Sequence, residues 1–177
     1  MLTDLIYELN AAGATVAASV KDLDLKREAQ KGTLADLEAA KADRQAALEK
    51  HDVKAVALAS ATEAVAEHII SEAKSEVVKA EAALKNVVTS AVEVSNRLQG
   101  ELVVAARAKA EALLSDLFAD KHQNMVKHHA GMTKIVTDSA SLPSLFLNDR
   151  QADLIEGVAR NFAITSASLI EFAAKVS

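Results

Sequence analysis

The stretch ISEAKSEVVKAEAALKNVVTSAVEVSNRL, Ile70–Leu98, decides the fold. Ile70, Val77, Leu84, Ala91 and Leu98 recur at intervals of seven, and Ala73, Ala80, Val87 and Val94 stand three residues after the first four. Apolar side chains at alternating steps of three and four share one face of an α-helix, and a sustained seven-residue repeat of that face is a coiled-coil seam. The seam's occupants are small or β-branched. Past Gly100 the apolar face moves to Leu102, Ala106, Leu113 and Leu117. The four-residue step from Leu98 to Leu102 has the form of a stutter, an insertion that locally unwinds the supercoil.

Outward from this seam, the composition supports helix almost everywhere. The chain has 177 residues, half of them apolar but only 3% aromatic, with a single proline and five glycines. So much Ala, Leu, Glu and Lys with so few breakers predicts long helices. A central helix is expected over 55–136. Unbroken, it would be roughly 100 Å long at about 1.5 Å per residue, longer than a compact domain of this size. It must therefore project as a rod or fold back, and Gly100 and His51-Asp52 are the candidate bends.

The termini carry seams of their own. Leu2, Leu5, Leu9, Ala12, Val16, Ser19 and Leu23 step by three and four, which predicts an amphipathic helix over 1–31 with Thr3 as its cap and Gly13 off the seam. Ile155, Val158, Phe162, Thr165, Leu169, Phe172 and Val176 keep the same rhythm and predict a second one over 149–177. The loop expected between centre and C-terminus, 137–148, holds Pro143. Gly32 before Thr33 and Asp36 reads as a helix end followed by a capping box. It sets off a charged helical arm, 32–54, with a thin apolar face of Leu34, Leu37 and Leu48. From Lys21 to Lys54 there are eight basic and eight acidic residues, spaced for ion pairs along one helix. The fold class expected is all-α: a long-helix, coiled-coil-like bundle whose N- and C-terminal helices pack together or on the central helix, as one helical domain.

A further apolar stripe, Val65, Ile69, Val78, Val88, Val92 and Val103, accompanies the central seam. A two-helix coil would leave much of it wet, so the central helix is expected to have more than one neighbour. Candidate interaction residues are therefore Val65, Ile69, Ile70, Val77, Val78, Leu84, Val87, Val88, Val92 and Leu98.

Chemistry is sparse by comparison. KHQNMVKHHAGM, Lys121–Met132, gathers three of the five histidines and two of the three methionines. His122, His128 and His129 could offer imidazoles to a borderline metal, with Met125 and Met132 as thioethers. No carboxylate joins them at helical spacing, and neither HExxH nor a pair of Glu-x-x-His motifs is present. The reading adopted is a helix giving out at Gly131, with Met125, His129, Met132 and Val136 as its apolar side; no cofactor is expected. The lack of cysteine excludes disulfides and thiolate sites. No phosphate-binding loop or nucleophile elbow occurs. Glu63 and Glu101, in or beside the seam, set register rather than carry catalysis.

A net charge of −5, with basic residues dispersed among acids, argues against nucleic acid. No secretory signal is evident in MLTDLIYELN, so a cytoplasmic place, or one within a virus particle, is favoured. The expected role is that of a non-enzymatic structural protein that self-associates, or docks with protein partners into a larger assembly such as a virion or filament. The Ala- and Val-rich helices also resemble, in composition, polyester-granule phasins and exchangeable lipid-binding bundles. That resemblance implies an amphipathic coat on a lipid or storage-granule surface as the second reading. A His/Met metal-binding protein is the third.

Overall fold

The computed structural model describes residues 2–119, 125–140, 142 and 152–176, and the side chains of 2–115, 129–140, 142 and 155–176. The fold is all-α. The described residues form α1 (Leu2–Glu49), α2 (Val53–Ala119), α3 (Met125–Ala140) and α4 (Ala152–Val176), with no strand among them. Long helices packed side by side, α1 on α2, make up the bundle.

The connection between α1 and α2 is built by three residues. His51 N–H donates to the Leu48 carbonyl at 3.1 Å and Asp52 N–H to the Ala47 carbonyl at 3.2 Å. This pair of reverse bonds is the Schellman ending, which places its C′ residue in the left-handed region. That residue is His51, at φ 55°. Asp52 then opens α2: its Oδ1 accepts from the N–H groups of Lys54 at 3.1 Å and Ala55 at 3.0 Å. One residue thus closes the first helix with its amide and caps the second with its carboxylate. Asp52→Ala is expected to cost about 1 kcal/mol, the usual worth of an N-cap. His51→Gly is expected to gain about 0.5–1 kcal/mol by removing the left-handed penalty of a side chain. Urea unfolding of the two variants beside the parent measures both.

The boundary expected at Gly32 is not a helix end. α1 runs through it because the three-four rhythm of the N-terminal seam continues beyond Leu23 in polar dress: Lys26, Gln30, Thr33, Leu37, Ala40, Arg44 and Ala47. Ala40 and Ala47 are buried, and Lys26, Gln30, Thr33 and Leu37 are half-buried. Thr33 Oγ1 caps nothing; it donates to the Gln30 carbonyl one turn back at 2.9 Å. Leu34 and Leu48, expected beside Leu37 on the apolar face, are 40% and 45% exposed. The stretch expected as a charged arm is therefore seam, packed on α2. A Cβ at Gly32 would meet nothing within 4 Å, so Gly32→Ala is expected to raise stability by up to about 1 kcal/mol through helix propensity alone, again read by urea unfolding.

The chain divides into two compact units. The first contains Met1–Ala17 and Asn86–Ser177. Its core joins Leu5, Leu9 and Val16 of α1, Val88, Ala91, Ser95, Leu98 and Leu102 of α2, and Phe162, Leu169 and Phe172 of α4, all buried. The terminal helices meet where a Cβ on Gly13 would lie 3.7 Å from the Phe162 ring. Gly13, off the seam toward α2, is thus the place where α4 approaches α1. α2 continues through Gly100, and Leu98, Leu102, Ala106 and Ala110 are buried at successive steps of four. Each such step overshoots a full helical turn, so the buried row winds around α2. Lys109 Nζ donates to the Lys175 carbonyl of α4 at 2.8 Å, and Leu113 lies 3.8 Å from a Cβ built on Gly131 of α3.

α3 also corrects an expectation. It does not give out at Gly131 but continues to Ala140. Gly131 marks a close approach to α2 instead. The sheltered side of α3 is Gly131, Met132, Ile135 and Asp138, while His129 and Val136 are exposed. The join of α2 and α3 expected within a central helix over 55–136 falls on residues 120–124, which lie outside the described residues. Of the loop expected at 137–148, residues 137–140 are instead the end of α3, and 141 and 143–148 lie outside the described residues.

The second unit is Ala18–Lys85. It is an antiparallel helical hairpin whose seam sets Leu23, Ala40 and Ala47 of α1 against Ala66, Ile70, Val77, Ala80 and Leu84 of α2, all buried.

Candidate interaction surface

Taking Ile70 as position a and Ala73 as position d of the heptad sorts every candidate on α2. Ile70, Val77, Leu84 and Leu98 are buried at 5%, 8%, 1% and 0% exposure, and Val87 is half-buried. These residues are occupied by the chain's own helices.

The accompanying stripe is in fact two flanks on opposite sides of that seam. Val65 and Ile69 fall at c and g; Val78, Val88 and Val92 fall at b and e. In the first unit the b/e flank is covered, with Val88 at 0% and Val92 at 6% exposure. That unit contains α4, a third helix able to cover it. The hairpin has only two helices, and both of its flanks are open: Val65, Ile69 and Val78 are 59%, 43% and 63% exposed. Leu58, one heptad before Val65, is exposed as well, as are Leu25 on α1 and Val53 at the start of α2. Leu58, Thr62, Val65 and Ile69 step by four, three and four, so they form one continuous strip. Scattered apolar residues need no explanation, but a continuous strip on a surface marks a place where something else binds.

Beside that strip lies a groove of about 210 Å³ between the hairpin's helices, floored by Ala40, Ala47, Ala55 and Ala59 and rimmed by Asp43, Leu58 and Thr62. Alanines make the groove: their side chains leave space where larger ones would fill it. In the first unit a groove of about 300 Å³ runs along Ala12, Thr15, Val87, Ser90 and Val94.

Charges hold the hairpin in register. Lys26 pairs with Glu76 at 3.1 Å, Arg27 with Glu81 at 2.9 Å and Arg44 with Glu63 at 3.0 Å. Glu63, a seam residue, is the most sheltered of these, its side chain 14% exposed. Exposed pairs of this kind add little to stability, but they fix which residues face one another. Glu76 also accepts from Lys79 at 2.8 Å, and Lys79 first, then Lys26, holds its carboxyl below the ordinary carboxylate range. That contribution is present at neutral pH and is lost as acid protonates the carboxylate. Lys26 and Arg27 both reach across to α2. The signal for this was present in the rhythm, because Lys26 and Arg44 occupy seam steps of α1.

The histidine cluster gives no comparable geometry. His122 lies outside the described residues, the His128 side chain likewise, and His129 is exposed on α3. Among the described residues no three His, Cys, Asp or Glu side chains gather as a metal site, and no helix is long and apolar enough to cross a membrane. Comparison of the chain with protein-family models, with curated proteins and with solved structures finds no match in any of the three.

Proposed function

We propose that the protein is a non-enzymatic assembly component that self-associates or docks into a larger complex, with the hairpin of Ala18–Lys85 as its binding arm. One observation carries the reading. The apolar b/e flank of α2 is covered in the unit that holds a third helix, whereas the hairpin leaves both flanks open and places Leu58, Val65 and Ile69 in one strip. A two-helix hairpin gains its missing helices from another molecule, and four-helix packing is the ordinary way to complete such a pair. Light scattering of the full chain across a micromolar concentration series tests the proposal. The expected result is a mass above the 18.7 kDa of one chain that falls on dilution, and that Val65→Lys with Ile69→Lys reduces. A monomer at every concentration, floating with neutral or anionic vesicles, would instead favour the amphipathic coat.

A further inference from the structure

Resting on that reading, we propose the partner and its register: a second copy of the chain docks flank to flank, antiparallel, with Ile69 of each copy seated against the alanine-floored groove of the other. The strip is self-complementary. With two α2 helices antiparallel, Leu58 of one copy stands opposite Ile69 of the second copy, and Thr62 stands opposite Val65. Every exposed apolar residue of the strip then meets its counterpart about one two-fold axis, as an isologous interface requires. Leu58 and Thr62 are the rim of the groove of about 210 Å³, so Ile69, 43% exposed, arrives where small residues have left room for a branched aliphatic side chain.

Charge selects the direction. Lys54 lies just before the strip and Glu72 just after it, both exposed. Antiparallel pairing sets Lys54 of each copy beside Glu72 of the other, whereas parallel pairing sets like against like, which is penalised. The closed object is a four-helix bundle made of two hairpins, with Val78 on the far side left outside the contact.

The chain's lack of cysteine makes the test clean. Thr62→Cys with Val65→Cys places thiols opposite one another across the proposed axis, and Ser71→Cys with Val78→Cys places them on the other flank. Mild oxidation of the full chain is expected to yield covalent dimer at least about tenfold faster for the first pair, as proximity converts a bimolecular step into a local one. Equal rates overturn the register. In sedimentation, Glu72→Lys is expected to weaken dimerisation about tenfold through like-charge contact with Lys54, and Lys54→Glu with Glu72→Lys to restore it. A double variant no tighter than the single overturns the antiparallel pairing. If the parent associates yet fails both tests, the arm binds by another face and the assembly reading stands. A parent that stays monomeric at all concentrations removes both.

Discussion

Phe162→Ala is expected to lower the stability of the protein by about 3–5 kcal/mol, the range for deleting a buried aromatic ring. Phe162 is 1% exposed and is the largest of the fully buried side chains among the described residues. Its ring faces Gly13 on α1 from the middle of α4, where a Cβ would be 3.7 Å away, so it fills the space between the terminal helices. Gly13 has no side chain of its own to fill the vacancy. Ile164, two residues along and 69% exposed, supplies the control: Ile164→Ala is expected to stay within about 0.5 kcal/mol of the parent. Guanidinium unfolding followed by circular dichroism measures both. A loss below about 1 kcal/mol for Phe162→Ala would mean that α4 does not pack on α1 in solution, since no core aromatic is removed so cheaply.

The second large effect contrasts two valines of one helix. Val88→Lys is expected to destabilise by more than about 3 kcal/mol, because it places an unpaired charge where water is excluded. Val78→Lys is expected to change stability by less than about 0.5 kcal/mol. Both residues sit on the b/e side of α2, and hydropathy alone does not separate them. They differ in coverage: Val88 is 0% exposed and Val78 63%. Thermal unfolding by calorimetry gives the comparison, and similar losses for the two variants would show that Val78 is covered after all. In the proposed dimer Val78 stays outside the contact, so Val78→Lys also leaves the dissociation constant unchanged.

The rhythm of apolar residues carried most of the architecture. The central seam, the two terminal seams and the bend at His51-Asp52 are all legible, because a helix that buries one face must repeat itself. Three features were hidden, each for a physical reason. Gly32 and Thr33 have the letters of a helix end, but a local cap signal is weak beside continuous packing on a neighbouring helix, and Gly32 has nothing near it that forces a turn. The seam over 26–49 is not legible in hydropathy because Lys26, Gln30, Thr33 and Arg44 hold seam positions; hydropathy fails where ion pairs such as Arg44 with Glu63 hold a seam. The split of the accompanying stripe into two flanks follows from counting heptads. Which flank would be covered does not, since it depends on how helices distant in the chain come to lie beside α2.

The first unit draws on Met1–Ala17 and on everything from Asn86 onward, while the hairpin is one unbroken segment. A ribosome making this protein therefore completes the hairpin first, around a turn whose partners are neighbours in the chain, the kind of contact that forms fastest. Leu5, Leu9 and Val16, already emerged, lack part of their cover until α4 delivers Phe162 and Leu169. Nascent chains caught at this stage display greasy surface at their leading end, so a stop codon ahead of Ala152 yields a product fit for chaperones and proteases rather than a smaller working protein.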